Sequence, residues 1–276
     1  MNAASVPSLA DTAARAMLPR ARLASALVLA PPVVATIWFG APLFDLMVIA
    51  GAFILSFEWW RLCGEGSKPA AAATIGGVVG APALAAFGYL PLAFTVIAIA
   101  TALLLIIARR PLFAAAAPLY LGLPCALLIW LRADPVDGRE AVLWLFIVVW
   151  ASDIGAYIFG RAIGGPRLAP AISPQKTWAG ALGGLLLAGA AGGGAALAFG
   201  HHQPMAAIAL GLLFSLVAQL GDLGESWVKR RFGVKDSGTL IPGHGGLLDR
   251  VDALLLSAAA MALLTAVRNG SIVAWM

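Results

Sequence analysis

Between Leu23 and Val267 the chain runs through one apolar stretch after another, separated by short polar breaks. A helix rises about 1.5 Å per residue, so about 20 apolar residues cross a hydrocarbon core of about 30 Å. On that measure nine spans are expected, at 23–40, 42–60, 71–88, 91–108, 112–131, 141–160, 179–199, 205–223 and 250–267. Backbone in lipid must satisfy its own hydrogen bonds, which favours helices. The expected fold is an all-α polytopic membrane protein. Residues 1–22 read as a cytoplasmic tail and 23–276 as a single transmembrane domain. The composition agrees: the chain is 61% hydrophobic and 11% charged, against roughly 25% charged in a soluble domain.

The stretch 71–108 is the ambiguous part of the count. Gly88 and Pro91 suggest a turn between two short helices rather than one long one. Basic residues test the choice, because Lys and Arg gather in cytoplasmic loops. With nine spans and a cytoplasmic N-terminus, only Arg132, Arg139 and Arg268 of the 18 Lys and Arg fall outside. A single span over 71–108 would scatter the bases over both sides. The net charge of +5 then reflects loop bias and attraction to anionic headgroups, not nucleic-acid binding. Pro31 and Pro32 are expected to kink the first span. No cleaved signal peptide is expected. Cys63 and Cys125 form no CxxC pattern, so neither a structural disulfide nor a zinc site is expected.

One segment departs from this apolar background. From Asp222 to Asp252 the chain carries Asp222, Glu225, Lys229, Arg230, Arg231, Lys235, Asp236, Asp249, Arg250 and Asp252, together with His244. Asp222, Glu225 and Ser226 are spaced i, i+3 and i+4, which puts them on one helix face. Asp249 and Asp252 share a face at the start of the last span. Two facing carboxylate clusters suit Mg²⁺, which takes oxygen ligands and keeps waters for a phosphate substrate. The alternative is that these acids only neutralise the neighbouring bases. Lys229, Arg230 and Lys235 either anchor the chain to headgroups or hold phosphate. Pro242–Gly243–His244–Gly245–Gly246 is nearly free of side-chain bulk, so its amides can face phosphate oxygens. His244 is either a phosphate donor, an acid–base group or a plain loop histidine.

A second candidate region covers 150–180. Asp153 lies within a span, where an acid is a functional candidate by default; the alternative is a partner for Arg161. Ser173–Pro174 has the pattern of a helix start, which puts Lys176 in the first turn. A lysine there opposes the helix dipole, so a bound anion is expected. The glycines from Gly180 to Gly194 read as a close helix–helix contact rather than a phosphate loop.

The pattern S-x-V-K-R-x4-K-D-S-G-x2-I-P-G-H-G-G-x2-D-R-V-D, from Ser226 to Asp252, resembles the signature of the phosphatidate cytidylyltransferases, or CDP-diacylglycerol synthases. Asp153–Tyr157 with Gly160–Arg161, and Ser173–Gly180, resemble the upstream motifs of that family. The N-terminal half resembles it in hydropathy alone. The resemblance implies transfer of the cytidylyl group of CTP to phosphatidic acid, giving CDP-diacylglycerol and pyrophosphate. It implies Mg²⁺, a potassium ion in some members, a homodimer, and a bacterial cytoplasmic membrane with the active site facing the cytoplasm. Carried over by motif, the catalytic candidates are Asp222, Asp249, Lys176 and His244. Ser173, Lys229, Arg230, Lys235, Asp236, Arg250, Gly245 and Gly246 are substrate contacts, and Asp222, Ser226, Asp249 and Asp252 are metal ligands. Competing readings are another CTP-dependent lipid or polyprenol enzyme, or a transporter. A transporter expects its ionisable groups near the bilayer midplane, whereas here they gather towards one face.

Overall fold

The computed structural model describes residues 30–64, 66–238 and 245–276. Helix α1 is described over Ala30–Phe39, and eight helices long and apolar enough to cross a membrane follow. They are α2 (Leu43–Leu62), α3 (Lys68–Ala86), α4 (Leu90–Ile107), α5 (Pro111–Arg132), α6 (Gly138–Ala162), α7 (Trp178–Ala198), α8 (Pro204–Arg231) and α9 (Leu248–Arg268). The all-α expectation holds; among the described residues the sheet is one two-stranded hairpin, β1 (Arg167–Ala169) and β2 (Ser173–Thr177), set before α7. Eight of the nine expected spans are present. For the first, residues 23–29 lie outside the described residues, as does the 1–22 tail. The 71–108 stretch is two helices, and the turn between them holds Gly88 at φ +81, in the region that glycine tolerates. Pro91 falls in the first turn of α4, where a missing N–H costs nothing.

The helices cover one another unequally. Buried residues make up 22% of the span window of α4 but 61% of that of α5. Helix α5 is therefore interior, and α4 faces lipid along most of its length. The core holds Trp144 at 0% exposure, edge-on to Phe214 and donating from Nε1 to Gly192 O at 3.0 Å.

Glycine sets the packing of the C-terminal half. A Cβ on Gly155 would come 2.6 Å from Gly183 O, and one on Gly184 would come 2.8 Å from Ser152 O. Helices α6 and α7 thus touch backbone to backbone, as small residues allow in membranes. The glycine-rich stretch of α7 serves this contact. Gly211 brings α8 onto α7 in the same way, 2.7 Å from Ala188 O. Ser152 and Ser215 hydrogen bond at 2.7 Å across α6 and α8, and Gln219 reaches Ala181 O on α7 at 3.1 Å.

Because short connections alternate the helix direction, the C-terminal ends of α2, α4, α6 and α8 share one end of the bundle with the N-terminal ends of α3, α5, α7 and α9. That end carries the hairpin and every described Lys and Arg except Arg132, Arg139 and Arg268.

Candidate active site

Helix α8 does not stop where its apolar run stops. It continues from the expected limit at residue 223 to Arg231, which keeps Asp222, Glu225, Ser226 and Lys229 on a helix and near one face of it. Gly221 lets that face meet α9. A Cβ on Gly221 would come 2.8 Å from Asp252 O and 3.2 Å from Ala253 Cα. The two carboxylate clusters anticipated on α8 and α9 are brought together by this crossing. Asp222, Asp252 and Asp153 of α6 lie within electrostatic reach of one another.

Two lysines tie the acids together. Lys176 of β2 meets Asp222 Oδ2 at 2.5 Å, with the side chains 24% and 34% exposed. Lys229 bridges Glu225 Oε2 and Asp249 Oδ1, each at 2.6 Å. In this second set Glu225 is only 1% exposed. The inner set is buried, whereas the Lys176 and Asp222 side chains are part-exposed, with the Lys176 ammonium itself turned inward and buried. Lys176 and Arg250 also lie within electrostatic reach of Asp153, whose side chain is exposed. Arg161 is not the partner of Asp153: it donates to Tyr157 Oη at 2.9 Å.

Lys176 reaches Asp222 because of a local structure that differs from expectation. Ser173–Pro174 does not start a helix. Ser173–Thr177 is a strand, with Ser173 opposite Ala169 and Thr177 opposite Arg167. The helix N-cap is Thr177, whose side chain accepts from Gly180 N at 3.1 Å. Two hydroxyl residues four apart both carry a capping signal, and only the second is followed by an uninterrupted apolar run. Lys176 therefore lies outside α7, and the conflict with its dipole disappears.

The segment joining α8 to α9 closes over Asp249. Its Oδ2 accepts from Gly246 N at 2.8 Å and from Ser237 N and Oγ at 3.0 Å. Gly245, at φ +83, leaves room for it: a Cβ there would come 2.5 Å from Oδ2. Ser226 Oγ faces Asp222 Oδ1 at 3.5 Å. Arg230 spends its guanidinium on Ile172 O at 3.2 Å and Val234 O at 2.9 Å, strapping α8 to the hairpin connection. Lys235, Asp236 and Arg250 are exposed. Pro242, Gly243 and His244 lie outside the described residues.

Two residues at this end were not anticipated. Glu58 of α2 is 5% exposed and accepts from Leu247 N and Leu248 N, both at 2.8 Å. The signal for it was available, since an acid inside the 42–60 span has the same standing as Asp153. Tyr120 sits on a π-helical turn of α5, Pro118–Gly122, a form frequent at functional sites. Its buried hydroxyl has no hydrogen-bond partner among the described residues and lies within electrostatic reach of Asp252, Glu225 and Asp222.

Among the described residues no three His, Cys, Asp or Glu side chains gather to hold a metal on their own. The donor set is nonetheless all oxygen, which suits Mg²⁺, and that ion usually takes one or two carboxylates and completes its shell with water and substrate phosphate. Asp222 and Asp252 fit such a role. The oxygens of Asp249 are already engaged by Lys229, Ser237 and Gly246.

Fold and site together describe an integral membrane protein with lysine–carboxylate pairs gathered at one end of the bundle. The sequence matches the Cytidylyltransferase family over residues 20–267, and the chain belongs to that family. It is 50% identical over 153 residues to a protein named phosphatidate cytidylyltransferase from Brucella suis biovar 1 (strain 1330), covering 55% of this chain and 57% of the relative. Likewise named relatives are 46% identical over 132 residues, in Haemophilus influenzae (strain ATCC 51907 / DSM 11121 / KW20 / Rd), and 47% over 124 residues, in Staphylococcus aureus (strain COL). The first covers 44% of each chain, the second 43% of this chain and 46% of the relative. The chain spans about half the length of the curated relatives it matches.

Proposed function

We propose that this chain transfers the cytidylyl group of CTP to phosphatidic acid. A phosphate oxygen of phosphatidic acid bonds to the α-phosphorus of CTP, and the bond from that phosphorus to the β-phosphate bridging oxygen breaks. CDP-diacylglycerol forms and pyrophosphate leaves. The nucleophile is already anionic near neutral pH, so no strong base is needed. The barrier is then charge repulsion and positioning.

The observation that carries this reading is the part-exposed Lys176–Asp222 pair beside the buried Lys229–Glu225–Asp249 set, in a chain of the Cytidylyltransferase family. Lys176, released from Asp222 by an incoming anion, neutralises phosphate charge. Lys229 stays fixed between two acids and keeps Asp249 ionised and oriented. The amide of Gly246 is spent on Asp249 Oδ2 and helps to hold that carboxylate in place. A Mg²⁺ held by Asp222 and Asp252 would neutralise phosphate charge and steady the leaving pyrophosphate. The acyl chains stay in the bilayer, while CTP arrives from the aqueous side of the basic end. By the positive-inside bias that side is the cytoplasm of a bacterial inner membrane. The homodimer implied by the resemblance belongs to the same proposal and is tested by the mass of the purified protein in detergent.

The test is incorporation of radiolabelled CTP into lipid by purified protein with phosphatidic acid, with and without Mg²⁺. Labelled CDP-diacylglycerol that disappears on chelation supports the proposal. Product from a polyprenol or another lipid phosphate, but none from phosphatidic acid, moves the acceptor. No labelled lipid from any acceptor refutes the reading.

A further inference from the structure

Helix α5 is interrupted by one π-helical turn, Pro118–Gly122, after which Leu123 N donates to Pro118 O, five residues back. Pro118 brings no N–H to the helical ladder, so the regular pattern breaks there. The extra residue of the turn offsets the two halves of the helix by about 100°. The turn is clamped against α3. A Cβ on Gly122 would come 2.8 Å from Gly77 O, and one on Gly77 would come 2.9 Å from Pro118 Cγ.

This turn carries Tyr120. Its ring lies 5.5 Å from that of Trp59, which is 2% exposed and donates from Nε1 to Phe113 O at 2.8 Å. The ring is thus seated between α2 and α5. The hydroxyl takes no part in that packing: it is buried and has no hydrogen-bond partner among the described residues. Phenylalanine would supply the same ring without the cost of an unpaired buried donor. The turn packs on α9 as well as on α2 and α3. The acids within electrostatic reach of the hydroxyl are Asp252, Glu225 and Asp222, all carboxylates of the site. Tyr120 stands nine residues after Pro111, the first of α5, a depth of roughly 13 Å. Asp153 stands equally far from the end of α6. The hydroxyl therefore belongs to the inner end of the site.

We propose that Tyr120 is a ligand-contacting residue of this site. Its hydroxyl donates to an oxygen that arrives with the ligand at the Asp222 and Asp252 carboxylates. A phosphate oxygen of a substrate and a water carried by a divalent cation are the two sources of such an oxygen. The acids themselves do not take this hydrogen bond. The inference deepens the reading of the chain as a CTP-dependent enzyme and rests on it.

The test is Tyr120→Phe in the full-length protein, in detergent, which keeps the ring against Trp59 and removes only the hydroxyl. Free of substrate and metal, the variant should melt at or above the wild-type temperature, because an unpaired buried donor is gone. Mg²⁺ alone, Mg²⁺ with CTP and Mg²⁺ with phosphatidic acid are then added in turn, and each ligand that binds raises the wild-type melting temperature. The variant should show a smaller rise. A deficit already present with Mg²⁺ alone assigns the oxygen to water on the cation. A deficit confined to CTP or to phosphatidic acid assigns it to that substrate's phosphate. The kcat/KM for CTP should fall about tenfold, as for one lost hydrogen bond. A lowered melting temperature in the ligand-free variant makes the hydroxyl a group that holds the fold and overturns the inference. Wild-type rises with all three additions overturn it as well. If the wild type makes no labelled lipid from any acceptor, the proposed function fails, and the melting shifts with Mg²⁺ and CTP alone decide for Tyr120. No shift in the wild type overturns both.

Discussion

At the end of the bundle away from the site, Arg132 reaches back to α1, donating from Nε to Ile37 O at 2.6 Å and from a terminal nitrogen to Trp38 O at 3.2 Å. It closes the C-terminal end of that helix, where Gly40 at φ +75 leaves room for the guanidinium. Arg139 stacks on Trp38 at 4.6 Å and Arg268 on Trp275 at 4.4 Å. Glu140 pairs with His201 at 3.0 Å. Each of these groups fastens elements of the fold to one another. At the other end, Lys176 and Lys229 draw together acids of α8 and α9, and the Lys176–Asp222 pair is left part-exposed. The same residue types thus do two jobs. Where charges cap carbonyls and stack on rings, they hold the fold. Where like charges converge and part of the set stays open, they are arranged for a ligand.

Substitutions at the two ends should therefore fail in different ways. Lys229→Met is the severest, because it leaves Glu225 and Asp249 as buried charges without their cation. A loss of about 3–5 kcal/mol of stability is expected, read as a large fall in melting temperature together with lost turnover. Asp222→Asn keeps an acceptor for Lys176 and removes one of the like charges beside Asp252 and Asp153. Turnover should fall about 10²–10³-fold with melting nearly unchanged, as followed by labelled CTP and by thermal unfolding in detergent. Lys176→Met removes a part-exposed pair and should cost less stability than Lys229→Met, yet should lower turnover about 10²-fold. An equal loss of stability in that variant would make Lys176 another fastener and break the contrast. Arg132→Met should do the reverse and cost about 1–3 kcal/mol of stability, with turnover of the folded fraction preserved.

Much of this was legible in the sequence, for physical reasons. Apolar length fixed the spans, and Gly88 with Pro91 marked the turn that separates α3 from α4. The i, i+3, i+4 spacing of Asp222, Glu225 and Ser226 disclosed their shared helix face. What escaped was set by tertiary contact. Ser173–Pro174 fits a helix start and a strand equally well, and only its pairing with Ala169 decides for the strand. The polar end of α8 lay past the apolar run that marked the span, although its acids and Lys229 kept helical spacing. Gly246 suggested a loop made for phosphate, while its neighbour in space is Glu58, far away in sequence. The expected ligands Asp222, Ser226, Asp249 and Asp252 come from two helices, and only the crossing of α8 and α9 shows that Asp249 is tied to Lys229 and that Asp222 lies within electrostatic reach of Asp252.

The central claim is that the basic end carries the chemistry and the opposite end only holds the fold. The direct measurement is turnover of labelled CTP into CDP-diacylglycerol by wild type, Asp222→Asn and Arg132→Met, with melting temperature recorded on the same preparations. The account predicts that Asp222→Asn loses turnover and keeps its melting temperature, while Arg132→Met melts lower and keeps its turnover. Wild-type turnover in Asp222→Asn, or lost turnover in folded Arg132→Met, would contradict it.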